Sequence, residues 1–147
     1  MSQPTTVPPF VNNAMKFVLR SPMHGMVSKN ILLITFTGCK SGKTYTTPVC
    51  YSLEDNQVYI FTHANWWKNL CNCTSVPLWL RGREVQGVPE PVVEDKGTIA
   101  ARLTAHLRRV PSDARYYDVT FDEHGNPKAE EVEKAVQTVV MIRVSLC

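Results

Sequence analysis

Ile31-Leu-Leu-Ile-Thr-Phe-Thr37, then Gly38-Cys-Lys-Ser-Gly-Lys-Thr44, then Tyr45-Thr-Thr-Pro-Val-Cys-Tyr-Ser-Leu53 reads as strand, loop and strand. The first seven residues are almost continuously apolar and rich in β-branched and aromatic types, the pattern of a strand buried on both faces. The loop holds two glycines, two lysines and a serine, which break regular structure. Pro48 has no N–H to offer a neighbouring strand, so the second run belongs at an edge or a bulge. Glu54-Asp-Asn-Gln57 is a turn into Val58-Tyr-Ile-Phe-Thr62, and the second and third runs are expected to pair as a hairpin.

Working outward, residues 1–9 are polar and proline-rich, an expected flexible leader to a single domain over residues 10–147. Phe10, Ala14, Phe17, Val18 and Met23 suit an amphipathic helix that Ser21-Pro22 ends. Downstream, Asn65-Trp-Trp-Lys-Asn-Leu70 predicts one or two helical turns with Asn65 as cap. Val76 to Gly82 and Glu84 to Val93 predict two strands meeting at Gly82-Arg83. Ile99, Leu103 and Leu107 recur every four residues within a helix over Thr98–Arg109. Asn126-Pro127 reads as the opening of another helix, with Val132, Ala135 and Val136 inward, and Val139 to Val144 as a closing strand. The order is α β β β α β β α α β. Hairpins dominate and no βαβ repeat occurs, so an α+β domain built on an antiparallel barrel is expected.

With 147 residues and 44% apolar content, the chain can bury a real core. A clean apolar run such as Ile31–Ile34 is far too short to span a bilayer, and no run in the chain approaches the necessary length. Met1 to Pro9 lacks the basic-then-apolar pattern of a secretory leader, so a cytoplasmic location is expected. Five cysteines, an odd number without a CxxC pair, fit neither a disulfide framework nor a zinc site; reduced thiols and no metal are expected. Net charge is +3, but residues 1–83 hold eight bases and two acids, while residues 84–147 hold eight bases and eleven acids. Residues 1–53 have no acid at all. That asymmetry suggests an anionic partner for the first half. Nucleic acid is not favoured, since no dense basic cluster or reader motif accompanies it.

Gly38 to Thr44 is not a triphosphate loop. The phosphate-cradling motif needs four residues between its glycines and a helix after it. Here three separate them and a β-prone, proline-stopped run follows. The chemistry survives the failed pattern. Glycines free backbone amides to turn toward an anion, Lys40 and Lys43 add charge, and Ser41, Thr44, Thr46 and Thr47 add hydroxyls. A single phosphate or phosphodiester suits such a loop.

The run Leu32 to Val49, with Thr37-Gly-Cys-Lys-Ser-Gly42 at its centre, resembles the deazaflavin-dependent nitroreductase and quinone reductase family. Leu19-Arg-Ser-Pro-Met-His24, Trp66-Trp-Lys-Asn-Leu70, Val76 to Arg83 and Arg108 to Tyr117 resemble further segments of it, in the same order. The resemblance implies an FMN-binding-like split β-barrel with flanking helices that holds coenzyme F-420, a deazaflavin with a phosphodiester and an anionic tail. It implies that Lys40, Ser41, Gly42 and Lys43 meet the phosphate and that Tyr45, Thr46, Thr47 and Pro48 run along the cofactor. It also implies that Thr62 and His63 approach the ring system, with Trp66, Trp67 and Asn69 as the next wall. A homodimer is implied as well. Two features depart from the family: Cys39 stands at its usual arginine, and the stretch from Thr62 to Trp66 is short. Those departures leave FMN open as the cofactor.

The favoured expectation is an oxidoreductase passing a hydride from a reduced deazaflavin to a quinone, nitroaromatic or enone. An FMN-dependent reductase on the same barrel and a non-catalytic cofactor or lipophilic-ligand carrier are the alternatives. The cofactor carries the chemistry in either enzyme, so no nucleophile or acid–base dyad is required. His63 is the one catalytic candidate, as a group that polarises an acceptor oxygen. One of Trp66 and Trp67 is expected to belong to the core, because adjacent helical residues do not face the same groove.

Overall fold

The computed structural model describes residues 31–38, 40–70 and 74–147. The leader and first helix expected upstream lie outside them, as do Cys39 and the Cys71-Asn-Cys73 pair. Six strands form a closed antiparallel barrel: β1 (Ile31–Thr37), β2 (Thr44–Glu54), β3 (Gln57–Thr62), β4 (Val76–Leu80), β5 (Arg83–Val92) and β6 (Val140–Leu146), in the spatial order β1-β2-β3-β6-β5-β4. Helices α1 (Lys96–Arg109) and α2 (Ala129–Ala135) flank it, with 3₁₀ segments at Asn65–Leu70 and Pro111–Tyr117. This is the expected α+β split barrel. Among the described residues no helix is long and apolar enough to cross a membrane.

Alternation along the strands divides the apolar residues between two cores. Leu32, Ile34 and Phe36 of β1 join Val58, Ile60, Ile142, Val144, Leu78 and Tyr51 inside the barrel. Tyr59, Phe61 and Met141, one residue out of phase, pack outside it against Ile99, Leu103 and Leu107 of α1 and Val132 and Ala135 of α2. Ile99, Leu103 and Leu107 are fully buried, each contributing roughly 1.5–3 kcal/mol of apolar burial. Closure also needs one residue without a side chain: a Cβ on Gly87 of β5 would sit 2.3 Å from Val144 Cγ1. Only glycine lets β5 and β6 pair at that point.

Two helix starts differ from the sequence reading. Helix α1 begins at Lys96 rather than Thr98, because the Asp95 carboxylate caps it, accepting from the Thr98 N–H (3.1 Å) and hydroxyl (2.7 Å). Those bonds hold Asp95 below the usual carboxylate range. Helix α2 does not open at Asn126-Pro127 but at Ala129. Asp122 Oδ1 accepts from the His124 and Asn126 amides and closes a tight turn through Gly125, whose φ is +79°. Pro127 is thereby committed to a bridge with Phe121.

The outer core holds one polar chain. The hydroxyl of Ser52 on β2 meets His106 Nδ1 of α1, and His106 Nε2 lies 2.8 Å from Asp113 Oδ2. Serine, histidine and aspartate in line would invite a hydrolase reading, but His106 and Asp113 are fully buried and Ser52 nearly so. No substrate reaches that hydroxyl. The chain ties α1 and the Pro111–Tyr117 segment to β2, as expected of a structural histidine. Asp113 Oδ1 has no hydrogen-bond partner among the described residues, so His106 is the carboxylate's main support. Removing one member of such a buried pair leaves an unsatisfied charge. His106→Ala is expected to cost about 3–5 kcal/mol in urea unfolding, and a loss below 1 kcal/mol would contradict this role. Gly87→Ala is expected to destabilise by about 1–3 kcal/mol through overpacking against Val144, measured the same way.

Candidate functional site

The barrel parts between β2 and β3. Strand β2 pairs with β1 over its first seven residues, Thr44 to Cys50, but with β3 only from Tyr51 to Glu54. Phe61 and Thr62, at the end of β3, pair with β6 instead. Between these diverging arms lies a hollow of about 340 Å³ lined by Thr47, Pro48, Val49 and Cys50 on one side and Phe61, Thr62 and His63 on the other, with Trp66, Tyr116 and Tyr117. Pro48 therefore occupies a strand with no partner on its β3 side, the edge position that its missing N–H demands.

A second and larger hollow, about 640 Å³, adjoins the first through Thr47 and Trp66, which line both. Its wall includes Lys40, Ser41, Tyr45, Thr46 and Asn69 from the expected set, together with Phe36, Gly38, Asn65 and Lys68. Among the described residues two lysines and no acidic residue line it, the Lys68 ammonium lying 5.9 Å from the centroid of the Trp67 ring. Thr46 is tied down by its neighbour across the β1–β2 ladder, the Thr35 hydroxyl 2.8 Å away. Phe36 stacks between Tyr45 (5.8 Å, 29°) and Trp66 (5.2 Å, 15°), making a continuous aromatic wall.

The 3₁₀ geometry of Asn65–Leu70 sorts its side chains. With three residues per turn, positions i and i+3 lie one above the other. Asn65 and Lys68, and Trp66 and Asn69, give the two faces that line the cleft. Trp67 and Leu70 give the third, and both pack on the barrel core. Asn69 Nδ2 donates to the Trp66 carbonyl at 3.0 Å, stiffening that face. Both tryptophans thus pack on the barrel core, and Trp66 alone of the two also lines the cleft. Lys68 carries charge into the cleft, a role the sequence reading did not give it. The available signal was the i+3 spacing from Asn65.

The loop is built differently from the expectation. The Gly38 N–H donates to the Lys43 carbonyl (2.8 Å), the Gly42 N–H to the Gly38 carbonyl (3.0 Å), and the Lys43 N–H to Ser41 Oγ (3.2 Å). Three amides are spent on holding the turn, with Gly42 at φ +70°. What meets the cleft is a set of side chains. A Cβ on Gly38 would lie 2.9 Å from Ser41 Oγ and 3.0 Å from the Tyr45 ring, so glycine lets the loop fold back on Tyr45. Gly42, Lys43 and Trp67 line neither hollow, while Pro48, Thr62 and His63 line the smaller one.

Cys50 and Tyr117 belong to the smaller hollow. Burial, followed by the Asp113 negative charge, pushes the Cys50 thiol up to about 12. Burial and then Cys50 and Asp113 push the Tyr117 phenol up as well. Both stay protonated near neutrality, so the floor is uncharged. Beyond them a third hollow, about 480 Å³, shares His63, Tyr116 and Tyr117 and adds Asp118, Glu130, Glu131 and Lys134. Thr120 donates its amide and hydroxyl to Glu131 Oε1, both at 2.7 Å, and these bonds hold that carboxylate low. The three hollows run from a basic end through a neutral middle to an acidic end. No group of three or more metal-ligating side chains gathers among the described residues.

No protein-family model and no curated protein sequence matches the chain. Solved structures do. A candidate 5-nitroimidazole antibiotic resistance protein from Bacteroides thetaiotaomicron superposes with a TM-score of 0.55 at 14% identity, over 84% of this chain and 76% of that one. An FAD-binding protein from Mesorhizobium loti gives 0.51 at 14% identity, over 92% and 88%. A candidate pyridoxamine 5'-phosphate oxidase from Listeria innocua gives 0.51 at 8% identity, over 90% and 92%. At such identities the likeness is one of architecture: this chain shares the antiparallel split-barrel fold of these proteins.

Proposed function

We propose that this protein is an oxidoreductase that binds a phosphate-bearing flavin-type cofactor, a deazaflavin before FMN, and passes its hydride to a quinone, nitroaromatic or enone. The observation that carries the reading is the acid-free cleft with Lys40 and Lys68 at one end, joined at Thr47 and Trp66 to a neutral aromatic hollow in the seam of the barrel. Its size falls in the range of cofactor sites. Its donor set, ammonium groups with hydroxyls and an aromatic wall, fits an anionic ester attached to a planar ring.

Lys40, Lys68 and Ser41 would hold the phosphate. Thr46 and Thr47 would run beside the cofactor and Trp66 would face its ring, leaving the Cys50, Tyr116, Tyr117 and His63 end for the acceptor. When bound, the cofactor supplies the hydride; the chain supplies position, electrostatics and exclusion of water. Charge-assisted hydrogen bonds from the lysines contribute roughly 1.5–3 kcal/mol each where sheltered from solvent. The protonated Cys50 and Tyr117 place no competing nucleophile or anion beside an electrophilic acceptor. A pairing of two copies of the chain belongs to the same reading, on the resemblance alone.

Titration of the purified protein with each cofactor, followed by fluorescence, tests the proposal. A saturable change with deazaflavin or with FMN is expected, and no change with either would overturn it. Binding without oxidation of the reduced cofactor by any acceptor would mark a carrier. Lys40→Ala with Lys68→Ala should weaken binding at least about tenfold, and the difference should shrink as salt is raised. Lys43→Ala should change affinity less than about twofold. Trp66→Ala should weaken binding by about 1–3 kcal/mol, whereas Trp67→Ala should lower unfolding stability and leave affinity nearly intact.

A further inference from the structure

We propose that Thr138 is a positioning residue that fixes His63 as its Nδ1–H tautomer and leaves Nε2 as the nitrogen offered to the cleft. The argument is one of proton counting. A threonine hydroxyl has a single proton to donate. The Thr138 hydroxyl donates to the Ala135 carbonyl at 3.3 Å, where the Thr138 amide also donates at 3.2 Å. Its oxygen, 3.4 Å from His63 Nδ1, can then only accept. Nδ1 must therefore carry a proton in the neutral ring. Nε2 is left as a lone pair, and it gains a proton only when the ring becomes imidazolium.

The surroundings say where Nε2 is used. His63 lines both the neutral and the acidic hollow, whereas Thr138 lines only the acidic one. The ring leans on Tyr117 at 5.6 Å and 36°, so its edge opposite Thr138 is the one left for the cleft. Asp118, Glu130, Glu131 and Lys134 share the acidic hollow with it, and Tyr116, Tyr117 and Cys50 share the neutral one. Tyr117 and Cys50, both pushed up by burial, are neutral donors at physiological pH. His63 is thus the imidazole that borders both hollows.

The consequence rests on the function proposed above. A hydride arriving at a bound quinone leaves a hydroquinone monoanion. The imidazolium Nε2–H bond breaks, an O–H bond forms, and the imidazole keeps the electron pair together with its Nδ1 proton. The exposed ring then recovers a proton from water. In this state His63 gives a proton and never takes one from the acceptor, and the neutral ring would be a hydrogen-bond acceptor facing an oxygen. Turnover should therefore fall as the imidazolium deprotonates.

The tautomer is tested without cofactor by two-bond ¹H–¹⁵N correlation spectra, with His63 assigned through its loss in His63→Gln. Above the titration of the ring, the wild type is expected to show a protonated Nδ1 and a bare Nε2. Thr138→Val should move the pattern toward the Nε2–H form, and Thr138→Ser should restore it. A wild-type ring in the Nε2–H form, or a pattern that Thr138→Val leaves unchanged, would overturn the proposal. With the loaded protein, His63→Gln should lower kcat by about a hundredfold and remove the alkaline fall. Thr138→Val should displace that fall while cofactor affinity stays within twofold. An unaltered pH profile in both variants would refute the proton-donor role. If neither cofactor binds, the redox reading fails while the spectra still decide the tautomer.

Discussion

The arrangement depends on how far β2 stays paired. An antiparallel ladder satisfies backbone groups on both sides of a strand, and leaving one side early is tolerated only where something else holds the strand in place. Here β1 does so along all of Thr44 to Cys50, which lets β2 run apart from β3 as far as Tyr51 without losing its course. The opening is thus bought by the length of the β1–β2 hairpin. The buried run Ile31–Phe36 makes that hairpin rigid, since it is anchored in the barrel on one face and buried on the other.

Charge and shape are then distributed along the opening by chain order. The loop between β1 and β2 and the 3₁₀ segment after β3 converge on the larger hollow and bring lysines. The segments after α1, with helix α2, converge on the far side and bring carboxylates. The imbalance between the two halves of the sequence is therefore spatial as well as linear: it becomes a gradient along a single groove.

Most of the strands were legible because their residues alternate or run continuously apolar, and local periodicity is what a sequence displays best. The α1 stripe was legible for the same reason. The helix ends were harder. Asp95 is a cap only because Thr98 returns two bonds to it, and Asn126-Pro127 has the composition of a helix start while serving a turn that Asp122 organises. At the cleft, Lys40, Thr46 and Thr47 were readable as residues that come together, and they line the larger hollow. The choice between Trp66 and Trp67 depended on a three-residue repeat rather than the α-helical one. Lys68 lines the larger hollow and Lys43 does not, because the loop folds back on itself through hydrogen bonds between Gly38, Gly42 and Lys43. The link from Ser52 through His106 to Asp113 spans distant parts of the chain, and no local pattern announces it.

The Asn65–Leu70 segment carries a constraint on how this chain can change. Its three faces have three different duties, and each successive residue turns the chain by about 120°. Deleting or inserting a single residue there would shift every later side chain onto a neighbouring face, so Trp66 and Asn69 would no longer line the cleft together. Length variation at this point is tolerable in steps of a whole turn, so relatives that keep the groove should differ here by three residues or by none.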